Sequence, residues 1–435
     1  MMDLEDQVRE ALQTVPAVDG PDDIALVAAA VDRRRLRHDM GLRAGALALV
    51  VALVGGGLVL GSGEGSGDLS VAAPTVSSGT WRSLPSSPLR PRFQQQAVWA
   101  GRELVVAGGC QGMAADCRTR DAAAYDPAAR TWRRIADLPA GGDGVLVAAG
   151  DQVILVSGQS SPRSWAWSPH DDRWRPLGPV PLAGVASAGT YLTWTGTEVL
   201  AVGQFGAGDG DDGSRGGSSG PVARLDLASG RWRTGAAAPP MPIFGDAVWT
   251  GSELIVAGVL SASGASTGRG AAVAYDAVAD RWRQLPDPPL GPFGPAVGWS
   301  GTELVVAGFD TSASVGEKAP LAAGGHLAAA LDPTTGRWRQ LPDAPIPVRG
   351  QDRYREPVAG GRLVLRGPEG QLVTLNPTNG EWAVGSAPPL VRLDAPLVWT
   401  GGELVIWGGG TDEQLGQASS SCCTPVTGGE TSSLP

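Results

Sequence analysis

Trp282-Arg283-Gln284-Leu285-Pro286 and Trp338-Arg339-Gln340-Leu341-Pro342 are one phrase written twice, 56 residues apart. Looser copies stand at Trp81, Trp132, Trp174, Trp232 and Trp382, so the tryptophan recurs seven times at gaps of 42 to 58 residues. Self-similarity at a period of about 50 residues marks a chain built from repeated units, each too small to bury its apolar face alone.

A second phrase, of the form V-W-x-G-x-E-L-V-V-A-G, interleaves with the first. It is clearest at 98–108, 247–258, 296–308 and 397–408, with weaker copies at Gly150-Asp151-Gln152, Gly196-Thr197-Glu198 and Gly360-Gly361-Arg362. An apolar run, a glycine-centred turn and a second apolar run read as a tight β-hairpin. Between hairpin and tryptophan lies a turn signal: Asp126-Pro127, Ser168-Pro169, Asp226, Asp276, Asp332-Pro333 and Asn376-Pro377. Such side chains cap their own backbone while proline fixes φ. Each repeat therefore reads as four strands: a and b form the hairpin, c ends at the Asp turn, and d carries the tryptophan. The 64 Gly and 35 Pro of the 435 residues suit short strands joined by turns.

A four-stranded unit with a double glycine after strand b, a Tyr-Asp-Pro turn and a tryptophan resembles the kelch repeat of β-propellers, over roughly residues 71 to 408. The resemblance implies an all-β, seven-bladed kelch-type propeller of the galactose-oxidase-like superfamily, spanning 71–435. Gly108-Gly109 and Gly408-Gly409 keep the double glycine. Gly258 and Gly308 follow alanine instead, and the second and sixth copies are degenerate. Trp81 has no hairpin before it, and residues 409–435 hold no tryptophan. The last blade is therefore expected to join C-terminal strands a and b to an N-terminal strand d, with the origin of c open; such closure removes free sheet edges. The tryptophans are expected to pack between neighbouring blades.

Ahead of the propeller, residues 44–63 carry no charge and are rich in Ala, Leu, Val and Gly, long enough to span a bilayer as a helix. Arg33, Arg34, Arg35, Arg37 and Arg43 precede this run, and Glu64 and Asp68 follow it. By the positive-inside rule residues 1–43 form a short cytoplasmic tail and 44–63 a signal anchor. A linker at 64–70 then leads to a propeller outside the cytoplasm, in a single-pass protein of the cell membrane. A cleaved signal peptide is the competing reading, set against a charged stretch unusually long for one. Leu4, Val8, Ala11 and Leu12, then Ile24, Val27, Ala28 and Val31, sit at helical spacing within the tail. The arrangement looks like that of actinobacterial membrane proteins.

A net charge of −10 argues against nucleic acid as a partner, because phosphate binding needs clustered Lys and Arg. Four cysteines, Cys110, Cys117, Cys422 and Cys423, all follow a strand b and would oxidise outside the cytoplasm. Cys110 with Cys117 would close a local loop, whereas bonds between the two pairs would clasp the ring; a metal site is a third alternative. The resemblance also raises copper-radical oxidases, whose site needs two Tyr, one bonded to Cys, and two His. Beyond residue 70 the chain has only His170 and His326, with Tyr125, Tyr191, Tyr275 and Tyr354. Tyr125 and Tyr275 are repeat-equivalent and read as structural. The reading is accordingly a non-enzymatic module without a cofactor or metal. The alternative is a galactose-oxidase-like or other propeller enzyme whose catalytic residues are not recognisable.

The loops carry the remaining information. The b–c and d–a connections share one face and are long and varied, and loops are where a scaffold presents function. Candidate binding residues there are Arg92, Gln94, Phe244, Asp246, Arg349, Asp352, Arg392 and Asp394, with an unknown protein or carbohydrate as partner. Arg92 and Arg392 occupy equivalent positions in blades that a closed ring makes neighbours. Asp209-Gly210-Asp211-Asp212 lacks the residue order of a calcium loop and reads as a loose connection.

Overall fold

The computed structural model describes residues 75–76, 81–112, 117–142, 144–158, 161–182, 190–205, 218–219, 221–239, 244–262, 265–289, 296–309, 326–348, 357–411, 424–426 and 428–434. The tail, the apolar run 44–63, the linker 64–70 and the acidic stretch 209–212 lie outside them. Among the described residues no helix is long and apolar enough to cross a membrane.

Seven four-stranded antiparallel sheets follow one another along the chain as the blades of a β-propeller. Their strands a are Gln96–Ala100, Val145–Ala149, Thr190–Trp194, Phe244–Trp249, Ala296–Trp299, Val358–Ala359 and Leu397–Trp399, for blades one to seven. The strand a of blade seven touches that of blade one, which closes the ring. Blade seven is composite: Leu404–Trp407 and Gly429–Ser432 supply strands b and c, and Arg82–Ser83 supplies strand d, with Arg82 opposite Thr431 and Ser83 opposite Glu430. The open question of strand c is thus settled for the C-terminus. One addition was not foreseen: Thr75–Val76 pairs in parallel with Glu381–Val384, covering the outer edge of blade six.

The core lies between the blades. Seven apolar clusters each join one adjacent pair, from Leu104, Tyr125 and Trp407 between blades seven and one to Ala359, Leu397 and Leu404 between six and seven. A single repeat has nothing to bury its faces against, so the ring is the smallest stable unit.

The recurrent tryptophan is part of these seams. The indole Nε1 of Trp132 donates to Pro85 O of the preceding strand d at 3.1 Å, Trp174 to Ala136 O at 3.0 Å, Trp338 to Pro286 O at 3.0 Å, Trp382 to Pro342 O at 2.8 Å and Trp81 to Ser386 O at 2.9 Å. In most copies of the phrase, then, the tryptophan donates to the blade before and the residue near Leu-Pro accepts from the blade after. Trp232 reaches Ser164 Oγ instead, and Nε1 of the half-buried Trp282 has no hydrogen-bond partner.

The Asp turns form as read: Oδ1 of Asp126, Asp226, Asp276 and Asp332 accepts from the backbone N–H two and three residues on. These turns end in a left-handed residue. Gly336 has φ 68°, and the non-glycines Asp172 and Asp280 have φ 47° and 49°. Both aspartates are held there by the neighbouring blade: Asp172 Oδ1 accepts from Ala136 N at 2.9 Å, and Asp280 Oδ1 from Ala236 N at 2.8 Å. Asn and Asp tolerate this region better than other residues with a Cβ.

Candidate functional site

On the face of the b–c and d–a connections, blades one and seven end strand b in the same way. Gly108 and Gly109 have φ 69° and 89°, and Gly408 and Gly409 70° and 88°. A Cβ on Gly109 would lie 2.8 Å from Phe93 O and one on Gly409 2.7 Å from Leu393 O. Strand b can turn sharply under the incoming d–a connection only because these residues are glycine.

An arginine braces each turn. Arg92 is completely buried, donating to Gly108 O at 3.0 Å and to both carboxylate oxygens of Asp121 at 2.6 and 2.9 Å, with its guanidinium 6.0 Å from the centre of the Trp407 ring. Arg392 repeats the arrangement: it donates to Gly408 O at 2.8 Å and to both oxygens of Glu430 at 2.6 and 2.8 Å. Burial pushes the Asp121 carboxyl up, but hydrogen bonds from Arg92 and Thr119 outweigh it and hold the group below its ordinary 3.8. The two arginines proposed from sequence as ligand contacts are therefore interior braces, and a ligand on this face does not meet their guanidinium groups.

Gln94 and Asp394, also repeat-equivalent, are brought together at the same seam. Gln94 N donates to Asp394 O at 3.0 Å, its Nε2 lies 3.4 Å from Asp394 Oδ2, and both residues are left-handed, with φ 58° and 50°. Beside them Cys110 and Cys117 are disulfide-bonded, with Cα atoms 4.8 Å apart; this is the local pairing of the alternatives above. Cys110 exchanges backbone hydrogen bonds with Phe93 at 2.8 and 3.0 Å, so the bridge also fixes the d–a connection. Cys422 and Cys423 lie outside the described residues.

Across the ring the face is built differently. The register of blades four and five keeps the first glycine of the pair, as Gly258 and Gly308, and puts Val259 and Phe309 where the second would stand, so strand b does not turn. In blade four it runs as Glu253–Ala262 and pairs with a similarly extended strand c, Ala265–Asp276, whereas blade one stops at Ala107 after Glu103–Ala107. Blade three also carries its strand b on, to Phe205, which pairs with Ser218–Ser219. Phe244 opens the inner strand of blade four opposite Val259. Asp246 in that strand is buried, with Oδ1 accepting from Ala247 N at 2.7 Å. Arg349 and Asp352 lie outside the described residues.

One polar cluster escaped the sequence reading. Arg224 on strand c of blade three is buried; it pairs with both oxygens of Glu198 and donates to Tyr275 Oη of blade four at 3.0 Å, while Tyr275 Oη donates to Asp280 Oδ1 at 2.5 Å. Burial first, then the Asp280 contact, pushes the Tyr275 hydroxyl well above its ordinary value. The visible signal was an arginine where strand c of four other blades carries alanine, as at Ala124 and Ala274.

Tyr125 and Tyr275 are both core residues, and no group of three His, Cys, Asp or Glu able to hold a metal occurs among the described residues. The chain matches no known family and no curated protein. Among solved structures it is similar to YjhT, at 15% identity with a TM-score of 0.44, over 76% of this chain and 93% of that one. A likeness this distant carries no argument, and the propeller assignment rests on the strand order and register above.

Proposed function

We propose that this chain is a membrane-anchored, extracytoplasmic propeller of the kelch type whose b–c and d–a face binds a protein or glycan, without catalysis. The run-on hairpin of blade four carries the reading. It extends strand b five residues past the point where blade one turns, roughly 16 Å of additional strand at about 3.3 Å per residue. That length sits on the face where loops are long. The uncharged run 44–63 after five arginines supports the anchor, and the Cys110–Cys117 bridge supports an oxidising compartment. The test replaces residues 260–267 by a two-residue turn in the full-length chain. Loss of partner capture from intact cells with an unchanged melting temperature supports the reading; undiminished capture sinks this half of the face. Thiol labelling of a cysteine placed at position 14, against one placed at 278, checks the topology.

A further inference from the structure

In five blades the arginine after the strand d tryptophan meets the glutamate that opens strand b: Arg82 with Glu403, Arg133 with Glu103, Arg233 with Glu198, Arg283 with Glu253 and Arg339 with Glu303, at 2.6 to 3.2 Å. Blade six has neither partner, carrying Arg362 and Ala383 at the two positions. Blade two keeps the arginine, Arg175, but has Gln152 where the glutamate belongs. The register is otherwise preserved, with Arg173 opposite Ser168 and Arg175 opposite Ala166. Among the described residues, blade two alone presents this arginine without its carboxylate.

A groove of about 630 Å³ opens at this place, lined among others by Gln152, Ala166, Ser168, Asp171, Arg173 and Arg175. Both arginines are exposed, and the small Ala166 leaves room above the sheet. We infer that the groove of blade two binds a sugar acid of the uronate type, whose carboxylate takes the place of the missing glutamate on Arg175. A guanidinium fork matches a carboxylate in two parallel hydrogen bonds, and Arg173 adds a second cation beside it. Ring hydroxyls find an acceptor in Asp171 and both donors and acceptors in Gln152 and Ser168. One carboxylate on a neutral hydroxylated frame fits this set better than an acidic peptide does. Asp171 faces such a peptide with like charge, and the chain's net −10 repels a polyanion at long range. The groove lies by the a–b and c–d turns, away from the b–c and d–a face, so it stands or falls separately from the reading above.

The experiment titrates glucuronate, glucose and triglutamate into the purified full-length chain and into Gln152→Glu and Arg175→Ala. Gln152→Glu writes the ion pair of the other five blades into blade two, occupying Arg175 from within. Glucuronate is expected to bind the wild type, and each variant to lose about tenfold or more of that affinity, one charge-assisted carboxylate contact. The melting temperature of Gln152→Glu should stand at or above that of the wild type, which separates lost binding from lost folding. The inference is overturned by absent glucuronate binding, by binding that Gln152→Glu leaves intact, or by equal binding of glucose or triglutamate.

Discussion

The seam where blade seven meets blade one and the hairpin of blade four belong to the same face and derive from the same repeat, yet they are built on opposite terms. At the seam, two glycines turn strand b at once, a buried arginine ties the turn to a carboxylate, and a disulfide holds the next connection. In blade four the second glycine is replaced by Val259, so the strand simply continues and the two strands hold each other. The seam packs blade seven, where an N-terminal and a C-terminal strand pair, against blade one and completes the ring; the hairpin carries no closure and extends outward. A repeat can diverge in this way because each blade's inner core depends only on its neighbours.

Breaking the arginine braces should separate the two regions most widely. Arg392→Met strands Glu430 in the interior and is expected to cost about 3–5 kcal/mol in denaturant unfolding, while Arg392→Met with Glu430→Leu should recover much of it. A double mutant as damaging as the single one would show that the brace acts by more than its charge pair. Removing the bridge by Cys110→Ser and Cys117→Ser should cost about 2–3 kcal/mol for so short a loop, with a melting temperature below that of the oxidised wild type and matching that of the reduced wild type. Next in size are the exposed repeat pairs. Arg283→Ala in blade four should cost at most about 1 kcal/mol, since the pair stays in reach of solvent. Shortening the blade-four hairpin at 260–267 should leave stability unchanged within error; a loss comparable to that of Arg392→Met would abolish the distinction drawn here.

Acid offers a finer probe of the same contrast. The folded Asp121 carboxyl titrates below its ordinary 3.8, so the stability it contributes is fully present above that value and is lost as pH falls from there through the folded pKa. Arg92→Met removes the largest of the contacts that lower it, leaving Thr119. Its stability should therefore fall less steeply with acid than that of the wild type below about pH 4, when followed by melting temperature against pH.

Much of the scaffold was legible because its signals are local. Turn residues such as Asp332-Pro333-Thr334 specify their own backbone, and the hairpin glycines do the same at Gly251 and Gly301. The tryptophan spacing gave the blade count for a related reason: each copy must meet the next at a fixed offset. The binding candidates fared differently. Arg92 and Arg392 stand among prolines and polar residues in segments that read as loops, and nothing local reveals that Asp121 and Glu430, 29 and 38 residues further on, close over them. The Arg224–Tyr275 contact between blades three and four was hidden in the same way.

By itself the sequence determined the repeat, the four strands within it, the turn chemistry and the composite last blade, since each follows from backbone preferences and periodic burial along a short stretch of chain. Tertiary structure alone decided which polar residues became interior, which end of the chain supplied strand c of the last blade, and that Cys110 closes on Cys117. Burial and pairing across a ring are fixed by which blades become neighbours and by how far each strand runs before it turns, and those distances are set only when the ring closes.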